Sequence, residues 1–166
     1  MEDVVPNTFA RTLVTVGLLA FRDGCAPMKS VTVSRTIEAP IEAVREAILD
    51  VEPFMLAAGF DEVHVDGDEI RLVNRVGIAT LELSLERYDD PDPDAALAYE
   101  QVEGIFESMR TVYYVEVSPE GTRIEATTDF ALDVALVGDL LDATIIRRQR
   151  RKELDAQFDH LEDALE

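Results

Sequence analysis

Five of the chain's 15 basic residues fall in one hexapeptide, Arg147-Arg148-Gln149-Arg150-Arg151-Lys152. On a helical wheel Arg147 and Arg150 lie in line with Leu140, Leu154 and Phe158, so both arginines face the same side as apolar residues. A guanidinium in that position needs an anionic partner, and its rigid planar fork suits a carboxylate. A ligand can supply the carboxylate, or the chain can, through a sheet acid such as Glu82 or Glu100. A third route is for the side chain to snorkel to the edge of the apolar region. The two structural routes are the more economical. Arg148, Arg151 and Lys152 fall to the sides of the helix, near acids such as Asp155. Tyr99, Tyr113 and Tyr114 add phenols on strand-like segments. Successive strand residues point to opposite faces. Tyr113 is in phase with Met109, Thr111, Val115 and Val117, which makes it, and not Tyr114, the inward member of the pair. In the next segment Ile124, Ala126, Thr128, Phe130 and Leu132 share a face. Tyr99, Met109, Tyr113, Thr128, Phe130, Arg147 and Arg150 are therefore the candidate ligand-contacting residues. An arginine or a phenol among them is able to polarise a carbonyl, with a carboxylate as base.

Other chemistries find no support in residue spacing. His64 and His160 are the only histidines and Cys25 the only cysteine. There is no HExxH and no Cys/His spacing, so no metal site is expected. The glycines are isolated, which leaves no phosphate-cradling loop, and no nucleophile-elbow motif occurs. No cofactor is expected. A single cysteine forms no internal disulfide, as suits a reducing compartment.

The elements that position these side chains are legible as changes of period. Val31 to Glu38 reads as a strand that Ala39-Pro40 halts. Proline fits the first turn of a helix, where its missing N–H has no partner to lose, and Ile41, Val44, Ala47 and Ile48 follow with helical spacing. Val51 to Phe60 reads as a second short helix closed at Gly59. Strands follow at Phe60 to Val65 and Glu69 to Val76, around an Asp66-Gly67 hairpin turn. From Ala79 to Glu86 apolar and polar residues alternate, predicting one buried face. The run Asp89-Asp90-Pro91-Asp92-Pro93-Asp94 can only be a turn. Ala95 to Val102, Phe106 to Val117 and Thr122 to Leu132 continue the sheet, the last two around a Ser118-Pro119-Glu120-Gly121 turn. From about Val137 to Leu165 the period becomes 3.6, giving one long terminal helix.

A strand passing through Ala-Pro into an amphipathic helix, then an antiparallel meander and a long terminal helix, resembles the START-like helix-grip superfamily. That group includes the polyketide cyclase/dehydrase-like (SRPBCC) proteins. The resemblance implies an α+β fold in which a curved antiparallel sheet wraps a long C-terminal helix, with two short helices after the first strand. It also implies a mainly apolar cavity between sheet and helix. It divides the chain into an N-terminal extension, residues 1–28, and a ligand-binding domain, residues 29–166. The function it implies is binding of a small hydrophobic molecule, with or without a carboxylate. The alternatives are a cofactor-independent cyclase or dehydratase acting on a polyketide-like or lipid-like substrate, and a protein-interaction module. Relatives often carry tryptophan where this chain has Arg45, and this chain has no tryptophan at all.

With 166 residues the chain has the size of one domain, and at 47% hydrophobic it has the composition of a globular one. Its 35 acidic residues against 15 basic ones give a net charge of −20. That field disfavours nucleic acid and anionic lipid as general partners. Lys29 and Lys152 are the only lysines. An acid-rich, lysine-poor chain is similar to proteins of salt-loving organisms, in which high ionic strength screens self-repulsion. No apolar run reaches the roughly 18 residues of a membrane helix. Leu13 to Phe21 faintly resembles a signal-peptide core, but Glu2 and Asp3 make its leading region acidic. A cytoplasmic location is expected.

Overall fold

A computed structural model describes residues 27–132 and 143–166. In β1 (Lys29–Ile37) the inward residues Val31, Val33 and Ile37 are buried. Pro40 is still extended, with φ −63° and ψ 148°, and its carbonyl accepts the amide of Val44 at 3.1 Å, which opens α1 (Ile41–Leu49). The preceding carbonyl, of Ala39, is buried and accepts the Thr122 hydroxyl at 2.8 Å. This junction is also why residue 121 is glycine. Its φ is +134°, and a Cβ there would collide with the Ile37 carbonyl. α1 buries Val44 and Ile48, and α2 (Val51–Leu56) buries Val51, Phe54 and Met55. Gly59, at φ +104°, lies in the turn that leads out of α2.

The meander follows as β2 (Glu62–Asp66), β3 (Glu69–Val76), β4 (Ala79–Arg87), β5 (Ala95–Glu103), β6 (Phe106–Ser118) and β7 (Gly121–Leu132). Every pairing is antiparallel, and β7 returns to pair with β1, giving the order β1-β7-β6-β5-β4-β3-β2. Register shifts at Ser84/Leu85, Ala95/Leu97 and Phe106/Ser108 interrupt the ladders, and such irregularities bend strands. The sheet curves around α3 (Ala143–Leu165), which packs on β1, β7, α1 and α2. This is the helix-grip fold. Its core joins Val44, Ile48 and Phe54 to Ile70, Leu85, Tyr113, Ile124 and Phe130 of the sheet and to Leu154, Phe158 and Leu161 of α3.

α3 is fixed by an arginine that the sequence did not single out. Arg35 of β1 meets three acids of the helix: Asp155 at 3.5 Å, Glu162 at 3.0 Å, and Asp159. Its guanidinium also stands 5.8 Å from the Phe158 ring centroid. Asp155, expected to neutralise the basic hexapeptide, is thus engaged across the fold.

Three expectations need correction or limits. Val117 is exposed despite being in phase with Tyr113, because it lies one residue from the hairpin turn at the rim of the sheet. The alternating face of β4 is buried only at its far end. Leu85 is covered, Leu83 is partly covered and Leu81 is exposed, since the first half of β4 borders a cavity instead of a helix. The terminal helix is described from Ala143, so Leu140 and the expected turns at 137–142 lie outside the described residues. So do Leu13 to Phe21 and Cys25.

Candidate functional site

Where the sheet parts from the first half of α3, a cavity of about 330 Å³ opens. Leu72, Asn74, Leu81 and Leu83 of β3 and β4 form one side, and Phe60, Ile105 and Phe106 add to the wall. α3 contributes Ile145, Ile146, Gln149, Arg150 and Glu153. The strand period puts Leu72, Leu81 and Leu83 here. Ile105 and Phe106 are held by Gln101, whose amide donates to the Phe106 carbonyl at 2.8 Å and accepts the Phe106 N–H at 3.3 Å. That clamp keeps the β5–β6 turn against the cavity. Larger depressions, of about 480 Å³ beside Arg87, Asp89 and Asp90 and about 660 Å³ beside Pro40 and Pro119, are more open and less apolar.

Arg150 and Glu153, at the cavity wall, belong to a buried network. Arg150 forms an ion pair with Glu153, one turn on, and its Nη2 donates to the Thr128 hydroxyl at 3.3 Å. Thr128 in turn shares a hydrogen bond of 2.8 Å with Thr111. The other oxygen of Glu153 accepts the Gln149 amide at 3.1 Å. Burial disfavours the charged form of Arg150, but the Glu153 carboxylate and the nearby phenols of Tyr99 and Tyr113 outweigh it, so its pKa is raised and it stays charged.

Behind Arg150 lies a second chain of hydrogen bonds. The Tyr113 hydroxyl donates to Gln157 Oε1 at 2.7 Å, and Gln157 Nε2 donates to the Phe54 carbonyl at 3.3 Å. With its one proton committed, Tyr113 accepts at 3.2 Å from Tyr99. Burial, then the neighbouring Tyr99, pushes the Tyr113 phenol well above its ordinary pKa. It is therefore a neutral donor and not a ready base. Phe54 meets the Tyr113 ring edge-on at 5.2 Å, which fixes it further.

Of the seven candidate residues, only Arg150 lines the cavity. Tyr99, Tyr113 and Thr128 are buried directly behind it in the polar network, and Phe130 backs the Phe106 wall, with ring centroids 5.6 Å apart. Met109 is buried in the core. Arg147 is exposed. Its wheel angle resembles that of Phe158, but Phe158 lies three turns further on, where β1 covers that side of α3, and no described residue covers Arg147. The expected sheet partners are also replaced. Glu82 is exposed and pairs with Arg71 at 3.4 Å, Glu100 is exposed, and Arg150 takes its acid from its own helix. Residue types alone did not single out Leu72, Leu83, Ile105, Phe106, Gln149 and Glu153. For Glu153 a signal existed: an acid three residues after Arg150 on one helix face.

A family model described as polyketide cyclase / dehydrase and lipid transport matches residues 28–166. No curated protein matches the chain by sequence. Among solved structures, TTHA0849 from Thermus thermophilus is similar with a TM-score of 0.64 at 21% identity, over 82% of this chain and 97% of that one. The Zhui aromatase/cyclase from Streptomyces sp. R1128 has a TM-score of 0.64 at 21% identity, over 84% and 97% of the two chains. A START superfamily protein from Mycobacterium smegmatis has a TM-score of 0.59 at 15% identity, over 83% and 96%. At such identities the likeness is one of fold. The family match extends over the whole described domain, and the chain belongs to the polyketide cyclase/dehydrase and lipid transport family.

Proposed function

We propose that the protein binds a small hydrophobic molecule in the cavity between sheet and α3, its polar end at Arg150. The observation that carries this reading is a cavity of about 330 Å³ with apolar walls and one buried ion pair. Small-molecule sites combine an apolar volume of at least about 300 Å³ with a few placed polar groups. The family's description, which includes lipid transport, agrees with it. Residues 29–166 act as the ligand-binding domain. No helix among the described residues is long and apolar enough to cross a membrane. The acid-rich, lysine-poor composition suits work at high ionic strength.

A second reading is favoured by Arg150 and Glu153 sharing the cavity wall. The guanidinium is placed to polarise a carbonyl and the carboxylate to accept a proton beside it, as a cyclase or dehydratase acting without a cofactor requires. The structurally similar Zhui protein is an aromatase/cyclase.

The test is displacement of a neutral fluorescent probe, N-phenyl-1-naphthylamine, together with native mass spectrometry of the protein purified in high salt. Leu83→Trp fills the cavity from β4 and should abolish probe binding while melting within about 1 kcal/mol of wild type, since Leu83 borders open space. Unchanged probe binding in that variant removes the cavity as the site.

A further inference from the structure

Arg150 carries five N–H donors, of which Nη1 gives one to Glu153 and Nη2 one to Thr128. Nε has no partner among the described residues, but less than 1 Å² of it is accessible, so it is sealed from the cavity. What Arg150 offers a ligand at the wall is a further N–H of Nη1 or Nη2.

Charge decides which ligand group that donor meets. Arg150 is neutralised by Glu153, whose side chain is 8% exposed, and both Glu153 oxygens are bonded, to Arg150 and to Gln149. A ligand carboxylate entering this cavity would stand beside Glu153 as a second, uncompensated anion in a poorly solvated place. The surrounding protein, with its charge of −20, offers no relief. A ketone, ester or amide oxygen accepts one hydrogen bond and brings no charge. Asn74 adds a carboxamide to the same wall, again without charge.

We propose that the polar end of the cavity selects an uncharged carbonyl compound over the corresponding carboxylate, with a terminal N–H of the Arg150 guanidinium as the donor and Glu153 as the residue that excludes the acid. This rests on the cavity being a binding site.

The experiment uses the full chain and two ligands with the same alkyl tail, methyl decanoate and decanoic acid, each displacing N-phenyl-1-naphthylamine near neutral pH. Wild type should bind the ester at least about tenfold more tightly than the ionised acid, and Glu153→Gln should shrink that ratio towards unity or reverse it. As a check free of mutation, lowering the pH towards the acid's own pKa should strengthen acid binding in wild type and leave ester binding flat. The proposal is overturned if decanoate binds wild type as tightly as the ester. It is also overturned if a folded Glu153→Gln keeps the full preference, because the selection would then reflect hydrophobicity alone. Failure of the probe and of both ligands to bind sinks the cavity reading, and the selection with it. Binding of both ligands without preference sinks only the selection.

Discussion

Each half of α3 has one arginine held against the core, Arg150 of the helix itself and Arg35 of β1, and the two are treated differently. In the C-terminal half Arg35 reaches over from β1, a quarter exposed, and faces Asp155, Asp159 and Glu162. Beneath it Leu154, Phe158 and Leu161 are fully buried. Burial works against the Arg35 charge, yet Asp159 and Glu162 more than restore it, and its pKa is raised. Redundant acids at a wet edge make a clasp, because loss of one leaves the others in place. In the N-terminal half Arg150 has a single acid among the described residues, little exposure to solvent and a cavity beside it. Redundancy belongs to the half that holds the fold, and scarcity to the half that borders the cavity.

The largest expected effect tests whether the C-terminal half is the closed one. Phe158→Ala removes a fully buried ring and the surface under Arg35, and should cost about 3–5 kcal/mol. Ile146→Ala, at the cavity wall, merely enlarges an existing space and should sit near the low end for its type, about 2 kcal/mol. Denaturant melts of the two variants check the order. Equal costs would mean that the two halves are packed alike.

A smaller contrast separates the two ion clusters. Glu153→Ala leaves the Arg150 charge buried without its partner and should destabilise by about 3 kcal/mol. Asp155→Ala removes one of three acids, itself partly exposed, and should cost less than about 1 kcal/mol. If the Asp155 variant proves the weaker protein, Arg35 depends on geometry with that one acid, and the argument from redundancy fails.

Most of the fold was legible because its signals are local and agree with one another. Ala39-Pro40, the Asp66-Gly67 hairpin and the change from a period of 2 to one of 3.6 each depend on a few adjacent residues. Arg150 and the inward choice of Tyr113 followed from the same periods. The misses share a different cause. Arg147 and Leu81 have the right phase but no neighbour among the described residues to cover them, and coverage is decided by elements distant in sequence. Arg35 looked like an ordinary outward strand residue because its three acids lie more than a hundred positions further on. The walls at Ile105 and Phe106 depend on the Gln101 clamp, a turn-specific contact with no sequence pattern. Periodicity gives direction, and only the tertiary arrangement says what lies there.

The smallest effect concerns salt, and it distinguishes the two clusters once more. Molar salt shortens the Debye length from about 10 Å to about 3 Å, which weakens the exposed Arg35 clasp and leaves the buried Arg150–Glu153 pair nearly untouched. The same screening relieves repulsion among 35 acids that have only 15 bases to answer them. The second effect involves more charges and should win, so the melting midpoint of wild type should rise by a few degrees from low to molar salt. Arg35→Ala leaves Asp155, Asp159 and Glu162 three and four residues apart on one helix face with no cation between them. Like charges at that spacing repel, so this variant should gain more from salt than wild type does. Glu153→Gln alters a pair that salt does not reach and should keep the wild-type slope. A midpoint that is flat or falls with salt in wild type would show that the clasp, and not the surplus of acid, governs how the surface responds.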